Sequence, residues 1–261
     1  VRFTTLAARP GLHVSAVSCA DDHTRWSPPE VRNDYRLVLV RRGRFRRRVG
    51  GMTADVEPTV AYLGRPGEQE SFAHPSGGDD CTAVHLSPDL GERLVRTTRP
   101  TLYVDARVDL AHRRLLAGAA DVDYAVVEAL LHLLAVPQKT SAPADVGLVG
   151  RAREALAADH PQSRDLLSLA GLLGVSPYRL SRAFTRELGV SLTRYRNRVR
   201  VGRALDRIKA GERDGATLAV DLGFADQAHL CRTVRAHVGH TPTAVRRLLA
   251  GDGEQSLAGE D

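Results

Sequence analysis

The sequence is short of cysteine, lysine and aromatic residues. Of 261 residues only three are cysteine (Cys19, Cys81 and Cys231), and aromatics make up 5%. An odd, sparse set of thiols excludes a disulfide scaffold. Of 37 basic residues only Lys139 and Lys209 are lysine, a bias that fits a GC-rich genome as readily as any chemistry. No stretch approaches 18 uninterrupted apolar residues, so no membrane span and no membrane partner are expected. No basic segment followed by an apolar run opens the sequence, so no signal peptide is expected and the chain is read as cytoplasmic. The Walker loop, G-x-S-x-G, H-E-x-x-H and the Rossmann glycine fingerprint are all missing. The chain is therefore not expected to be an enzyme, and the serine of "GVSPYRLS" suits a helix cap better than a nucleophile.

What is present is uneven charge. The net charge is +6. Residues 145–250 hold 18 basic against 10 acidic residues, residues 1–144 hold 19 against 17, and the end from Gly251 holds only four acids. The excess positive charge therefore sits in the second half, which favours a phosphate-rich partner there. The densest basic run lies elsewhere, at Arg41–Arg48, "RRGRFRRR". Gly43 supplies a turn, Phe45 and Val49 share one face of a strand, and Arg46 and Arg48 share the other. That pattern predicts a hairpin with its arginines in solvent.

The first hundred residues hold short β-like runs between Gly and Pro: "GLHVSAVSC", "YRLVLV", "FRRRVGG", "TVAYLGRP" and "CTAVHLS". Such strands suggest a sandwich or small barrel. From Asp109 the period becomes helical in "DLAHRRLLAGAA" and "DYAVVEALLHLLAV". "PQKTSAPAD" (137–145) reads as a linker, the chain is helical almost to Ala250, and 251–261 reads as a frayed tail.

The helical half contains a repeat. Leu169-Ala170, Leu173-Gly174, Leu180, Arg182, Gly189 and Arg196 recur as Leu218-Ala219, Leu222-Gly223, Leu230, Arg232, Gly239 and Arg246. The offset is 49 before the turn and 50 after it. Each copy reads helix, turn, helix, with Ser176 or Asp226 capping the second helix. Leu180, Phe184 and Leu188 mark a buried face. The opposite face carries Tyr178, Ser181, Arg182 and Thr185, and in the second copy Gln227, Ala228, His229 and Arg232. A short helix with such a face is what a helix-turn-helix inserts into the major groove. Between the copies, Leu192, Tyr195, Val199, Leu205 and Ile208 form an apolar stripe among Arg194, Arg196, Arg198, Arg200, Arg203 and Arg207. About twenty helical residues span roughly 30 Å, close to the ~34 Å between successive major grooves on one face of a duplex.

This half resembles the DNA-binding domain of AraC/XylS-type transcription regulators. "LAVDLGFADQAHLCRTVRAHVGHTPTAVRR" carries the resemblance best, with Gly-Phe before the recognition helix and Gly239 to Pro242 after it. Val234 departs from the family's usual Phe. The resemblance implies an α+β chain of two domains. These are a cupin-like β-barrel sensor over 1–104 with a helical dimerisation segment at 105–136, and an all-α double helix-turn-helix over 146–250. It implies double-stranded DNA as partner, a homodimer, and an effector in the barrel. Base-facing positions fall on Tyr178, Ser181, Arg182, Gln227, His229 and Arg232, and phosphate contacts on Arg196, Arg200 and Arg203.

The barrel half offers two further candidate sites. Cys19 to His23 and Cys81 to His85 are both Cys-x3-His, a donor set suited to zinc or another soft divalent metal. In a straight strand positions i and i+4 lie ~13 Å apart. "CADDHTRWSPPE" has turn composition and can bend, whereas "CTAVH" reads as strand. The alternative is a buried cysteine on each strand with hydrogen-bonded histidines. Trp26 and His74 are candidates for a ligand pocket; Trp26, Tyr35, Phe45, Tyr62 and Phe72 would line it or else form core. No His-x-His with following Glu and His marks a metal-dependent cupin. A regulator is thus expected. The rivals are a metal-binding cupin enzyme or storage module with a vestigial DNA domain, and a constitutive DNA-binding protein whose barrel only dimerises.

Overall fold

The computed structural model describes residues 1–117 and 145–250. Most of the expected dimerisation segment (118–136), the linker to residue 144 and the tail 251–261 lie outside the described residues. The chain divides into two compact units, Val1–Val104 and a second beginning at Asp105.

The first unit is two antiparallel sheets. One has the order β1 (Arg2–Arg9), β2 (Leu12–Cys19), β9 (Asp79–Leu86), β4 (Tyr35–Arg42), β7 (Val60–Gly64) and β10 (Thr101–Tyr103). The other runs β3 (Glu30–Val31), β8 (Gln69–Ala73), β5 (Phe45–Val49) and β6 (Met52–Val56). An apolar cluster joins them: Val38, Val40, Tyr62, Cys81 and Ala83 from the first sheet meet Phe45 and Val56 from the second. A short helix, α1 (Pro88–Leu94), follows β9 and is capped by Ser87. Two antiparallel sheets packed over an apolar cluster are the β-rich architecture expected of this half.

The arginine octet is not a hairpin. β4 ends at Arg42, Gly43 turns the chain at φ 79°, and β5 enters the other sheet between β6 and β8. A Cβ at Gly43 would stand 2.5 Å from the Gly78 carbonyl oxygen, so this crossing requires glycine. The hairpin is β5–β6, closed through Gly50 and Gly51. Arg46 and Arg48 are exposed as the alternation predicts, but Arg47 shares the inner face with Phe45 and is 2% exposed. Glu70 explains it. Arg47 Nε donates to Glu70 Oε1 at 2.9 Å, Arg47 Nη2 donates to Glu68 Oε2 at 2.6 Å, and Arg36 Nη2 donates to Glu70 Oε2 at 2.7 Å. The Arg47 guanidinium also lies 4.6 Å from the centre of the Tyr62 ring. One carboxylate on β8 thus joins an arginine from each sheet.

The second unit is helical: α2 (Ala106–Leu116), α3 (Val146–Ala157), α4 (Leu166–Leu172), α5 (Pro177–Leu188), α6 (Leu192–Lys209), α7 (Gly215–Asp221), α8 (Gln227–Val238) and α9 (Pro242–Ala250). α2 falls at the start of the segment expected to pair two chains, yet its inner face is covered by its own chain. Ala106 and Leu110 join the core made by Val201, Ala204, Leu205 and Ile208 of α6 with α7, α8 and α9. Arg198 of α6 is not one of the solvent-facing arginines expected on that helix; it is 1% exposed. Its Nη2 lies 3.0 Å from Asp109 Oδ2, while Arg113 Nε bonds Asp109 Oδ1 at 2.9 Å and Arg113 reaches on to Asp206. Burial would raise the Asp109 carboxyl pKa; Arg198 and Arg113 beside it outweigh that and hold it below the usual carboxylate range. The spacing of α6 shows its apolar stripe but not that an acid from α2 meets Arg198 at its edge.

Two predictions follow from these buried ion pairs. Glu70→Ala, which strands two buried arginines, will destabilise the first unit by about 3–5 kcal/mol. Arg46→Ala, on the wet face of the same strand, will stay within about 0.5 kcal/mol of wild type. Denaturant titration followed by Trp26 fluorescence compares them. In the second unit the Asp109 carboxylate contributes fully above about pH 4, the unfolded-state pKa, and its contribution is lost as pH falls through the depressed folded value. Asp109→Asn will therefore lower stability at neutral pH and flatten its dependence on pH below about 4, read by circular dichroism at 222 nm.

Candidate functional site

The repeat in the sequence is a repeat in the structure. Asp165 caps α4 and Asp214 caps α7; Ser176 caps α5 and Asp226 caps α8, accepting from Arg179 N and His229 N. Gly174 and Gly223 close the first helix of each copy at φ 66° and 71°. Gly189 and Gly239 close the second at φ 73° and 83°, where only glycine is unstrained. Ser191 and Thr241 then cap the next helix by accepting from Arg194 N and Ala244 N. The residue by which the offset grows lies in the second turn, where Phe224 and Ala225 stand in place of Val175. Phe224 is buried there.

Matched apolar positions are buried in both copies: Leu169 and Leu218, Ala170 and Ala219, Leu180 and Leu230, Phe184 and Val234. Val234, the departure from the family's usual Phe, is fully buried in the second core. Phe184 packs edge-on to Tyr195 at 5.1 Å, fixing the first turn of α6 to the first copy. Val201 to Ile208 fix the rest of α6 to the second. α6 has 18 residues, a rod of about 27 Å.

None of the eight residues expected at the base-reading faces is buried. Tyr178, Arg182, Thr185, Gln227, Ala228 and Arg232 are exposed, and Ser181 and His229 are half-buried. Tyr178 and Arg182 support one another: the Arg182 guanidinium lies 5.3 Å from the ring and Nη1 donates to the Tyr178 hydroxyl at 3.2 Å. His229 has a second duty. Its Nδ1 accepts from Ala225 N at 3.3 Å and its ring stands edge-on to Phe224 at 5.4 Å.

The three expected phosphate contacts lie along one groove but differ in their partners within the chain. Arg203 Nη2 donates to the carbonyl of Ala157 at 2.8 Å, where α3 ends. Arg200 lies 5.5 Å over the Phe224 ring, and its Nη2 would be 2.8 Å from any Cβ added at Gly223. Partial burial, and then Arg196 nearby, push the Arg200 guanidinium pKa down. Arg164, Arg196, Arg200 and Arg203 line one groove of about 420 Å³, against two acids, Asp159 and Asp221. Like charges held this close favour an anionic occupant. Arg164 was not singled out in the sequence, because it lies outside the matched positions of the repeat.

In the first unit the four-residue metal set is not assembled. β9 puts Cys81 opposite Val17 and Val40, but His85 opposite His13 and Arg36, four residues further along the same strand. His85 Nδ1 bonds Asp34 at 2.7 Å. Cys81 is buried and its thiol donates to Asp79 Oδ2 at 2.8 Å. Burial, and then the Asp79 charge, push the Cys81 pKa far above the thiol range, so it remains a thiol. Cys19 and His23 instead meet residues of the following strands. Cys19, His74 and Asp79 hold ligand-type atoms within 4.8 Å of one another, as do Asp21, His23 and His74. Asp79 and Asp21 lie outside the Cys-x3-His pattern, and no residue spacing marks them. Of the ligand-pocket candidates, Trp26 lies under the Arg48 guanidinium at 4.5 Å. His74 stands 5.9 Å from Phe45, whose ring contacts Tyr62 and Phe72 at 6.0 Å each. Those aromatics are core.

Comparison with known proteins agrees with the helical geometry. Residues 169–248 match the family model of a helix-turn-helix domain. No curated protein matches the chain in sequence. Among solved structures it is similar to ToxT from Vibrio cholerae O395, at 12% identity over 93% of this chain and 100% of that one, TM-score 0.40. It is also similar to the C-terminal domain of AraT, a response regulator from Geobacillus stearothermophilus, at 26% identity over 42% and 88%, TM-score 0.37. The Schizosaccharomyces pombe Cnp3 cupin domain is similar at 14% identity over 35% and 68%, TM-score 0.30. No helix among the described residues is long and apolar enough to cross a membrane. With two capped helix-turn-helix copies joined by one helix, and a helix-turn-helix family model matching residues 169–248 across both, the helical unit carries a double helix-turn-helix domain.

Proposed function

We propose that the protein is a one-component regulator that reads two adjacent major-groove segments with α5 and α8, and whose β-barrel unit binds the effector that governs this. One observation carries the reading half. Two helices with the same caps bury every matched apolar residue and leave Tyr178, Arg182, Gln227 and Arg232 in solvent. Arg182 and Arg232 occupy equivalent positions, and a guanidinium there can bond guanine bidentately. The groove lined by Arg164, Arg196 and Arg200 supplies charge without base choice. Effector binding would shift the population of chains able to engage the operator. Pairing of two chains is part of the proposal, and it does not use the inner face of α2, which α6 covers.

Binding to a panel of duplexes selected from a random pool tests this. Arg182→Ala and Arg232→Ala will each lose about 1–3 kcal/mol of discrimination at one base pair. Arg196→Ala will weaken all duplexes alike and lower the slope of log K against log salt by about one. Arg203→Ala will act differently, lowering the stability of the second unit by removing the α3 end contact. Uniform losses across the panel for Arg182→Ala and Arg232→Ala would remove the base-reading assignment.

A further inference from the structure

The two strands that carry Cys19 and Asp79 are adjacent, and Cys19 pairs directly with Asp79 in their register. His74 is brought to the same place by the turn "HPSGGD". A Cβ at Gly78 would stand 2.2 Å from the Cys19 carbonyl oxygen, so glycine lets this turn close onto β2. Three donors of different hardness then converge: a thiol, an imidazole and a carboxylate, all within 4.8 Å. Zinc-type geometry needs separations of about 3.4–3.8 Å between ligands, so side-chain adjustment alone suffices.

The polar atoms here are unspent. The Asp79 side chain is 5% exposed, and its Oδ1, 3.0 Å from His74 Nε2, accepts no aligned hydrogen bond. His74 Nδ1 is likewise buried without a partner. A buried carboxylate oxygen and imidazole nitrogen left this way are costly unless something else satisfies them. The surroundings are arranged for a cation. Cys81 holds Asp79 Oδ2 and so fixes the carboxylate. His23 stands edge-on to His74 at 5.6 Å, and its Nδ1 donates to the Arg25 carbonyl at 2.7 Å. That bond fixes the tautomer and leaves Nε2 with its lone pair free to ligate, the usual second-shell arrangement of a metal-binding histidine. Cys19 and Asp79 also line a solvent-open cleft, which gives an ion a way in.

We infer that Cys19, His74 and Asp79 form a binding site for a borderline divalent cation of the zinc class, with His23 the nearest fourth ligand, and that this ion is the effector of the barrel unit. The donor set favours zinc over magnesium or calcium, which take oxygen ligands. The effector assignment rests on the regulator reading above; the site itself does not.

Cobalt(II), added to the chelator-treated full chain, tests the site. One equivalent will bind and give a thiolate-to-cobalt charge-transfer absorption, and zinc will displace it. Cys19→Ser will abolish that absorption, His74→Ala will abolish stoichiometric binding, and Cys81→Ala will weaken binding about 10–100-fold. His85→Ala will change nothing. Circular dichroism of each variant checks that it is folded. No retained cobalt, or an absorption unchanged in Cys19→Ser, overturns the site. A folded Cys19→Ser that keeps wild-type cobalt affinity does the same. If cobalt binds as described but zinc leaves duplex affinity unchanged, the effector role is overturned while the site stands. If no duplex is bound with or without zinc, the regulator reading falls, and the cobalt spectrum still decides the site.

Discussion

Everything the helical unit does depends on holding α6 straight and in place, and a buried ion pair supplies the hold at its middle. Arg198 lies one turn after Tyr195, which packs into the first copy, and just before Val201, which packs into the second. At the point where the helix passes from one core to the other it presents a guanidinium. That charge could not be buried alone; Asp109 of α2 makes it possible, and Arg113 and Asp206 complete the cluster. The pair therefore defines where α2 lies along α6, which an apolar contact would leave free to slide. If α5 and α8 read successive grooves as proposed, they need such a fixed spacing more than extra stability.

Much of this was legible in residue order. The repeat, its caps and its glycine stops are local chemistry, and local chemistry is written in adjacent residues. Ser176 and Asp226 cap in the structure as their spacing predicts. The exposed faces of α5 and α8 follow from the same helical period. What was not legible depends on partners distant in sequence. Arg47 looked solvent-facing because its neighbours are arginines; Glu70, 23 residues on, brings it inside. Arg203, expected at a phosphate, also donates to a carbonyl at the end of α3, 46 residues earlier, which no spacing announces. The Cys-x3-His pairs failed for a related reason. A strand separates residues four apart, whereas neighbouring strands bring Cys19 level with Asp79.

The barrel shows the same economy in reverse. Its interior is built from rings and aliphatic side chains, with Phe45, Tyr62 and Phe72 in mutual contact beside Val38, Val40 and Val56. Two of its buried acids differ in how they are met. One is Glu70, fully engaged by Arg36 and Arg47. The other is Asp79, bonded by the Cys81 thiol on one oxygen, with the other 3.0 Å from His74 Nε2 but without an aligned hydrogen bond. The contrast is informative because the two acids are about equally buried. A fold that satisfies the first so completely gives no general reason to leave the second half-met.

Arginine carries most of the positive charge here, but its roles diverge with environment. Arg47 and Arg198 are internal ties, Arg203 closes a helix end, and Arg48 and Arg200 cover aromatic rings. Arg182 and Arg232 remain in solvent on the faces where a groove would meet them. A count of basic residues therefore overstates the contact with DNA. The guanidinium suits all of these duties because it is planar, weakly hydrated and permanently charged, so it can stack, fork onto a carboxylate or enter a groove. Its exposed face, not its abundance, marks which of them a given arginine performs.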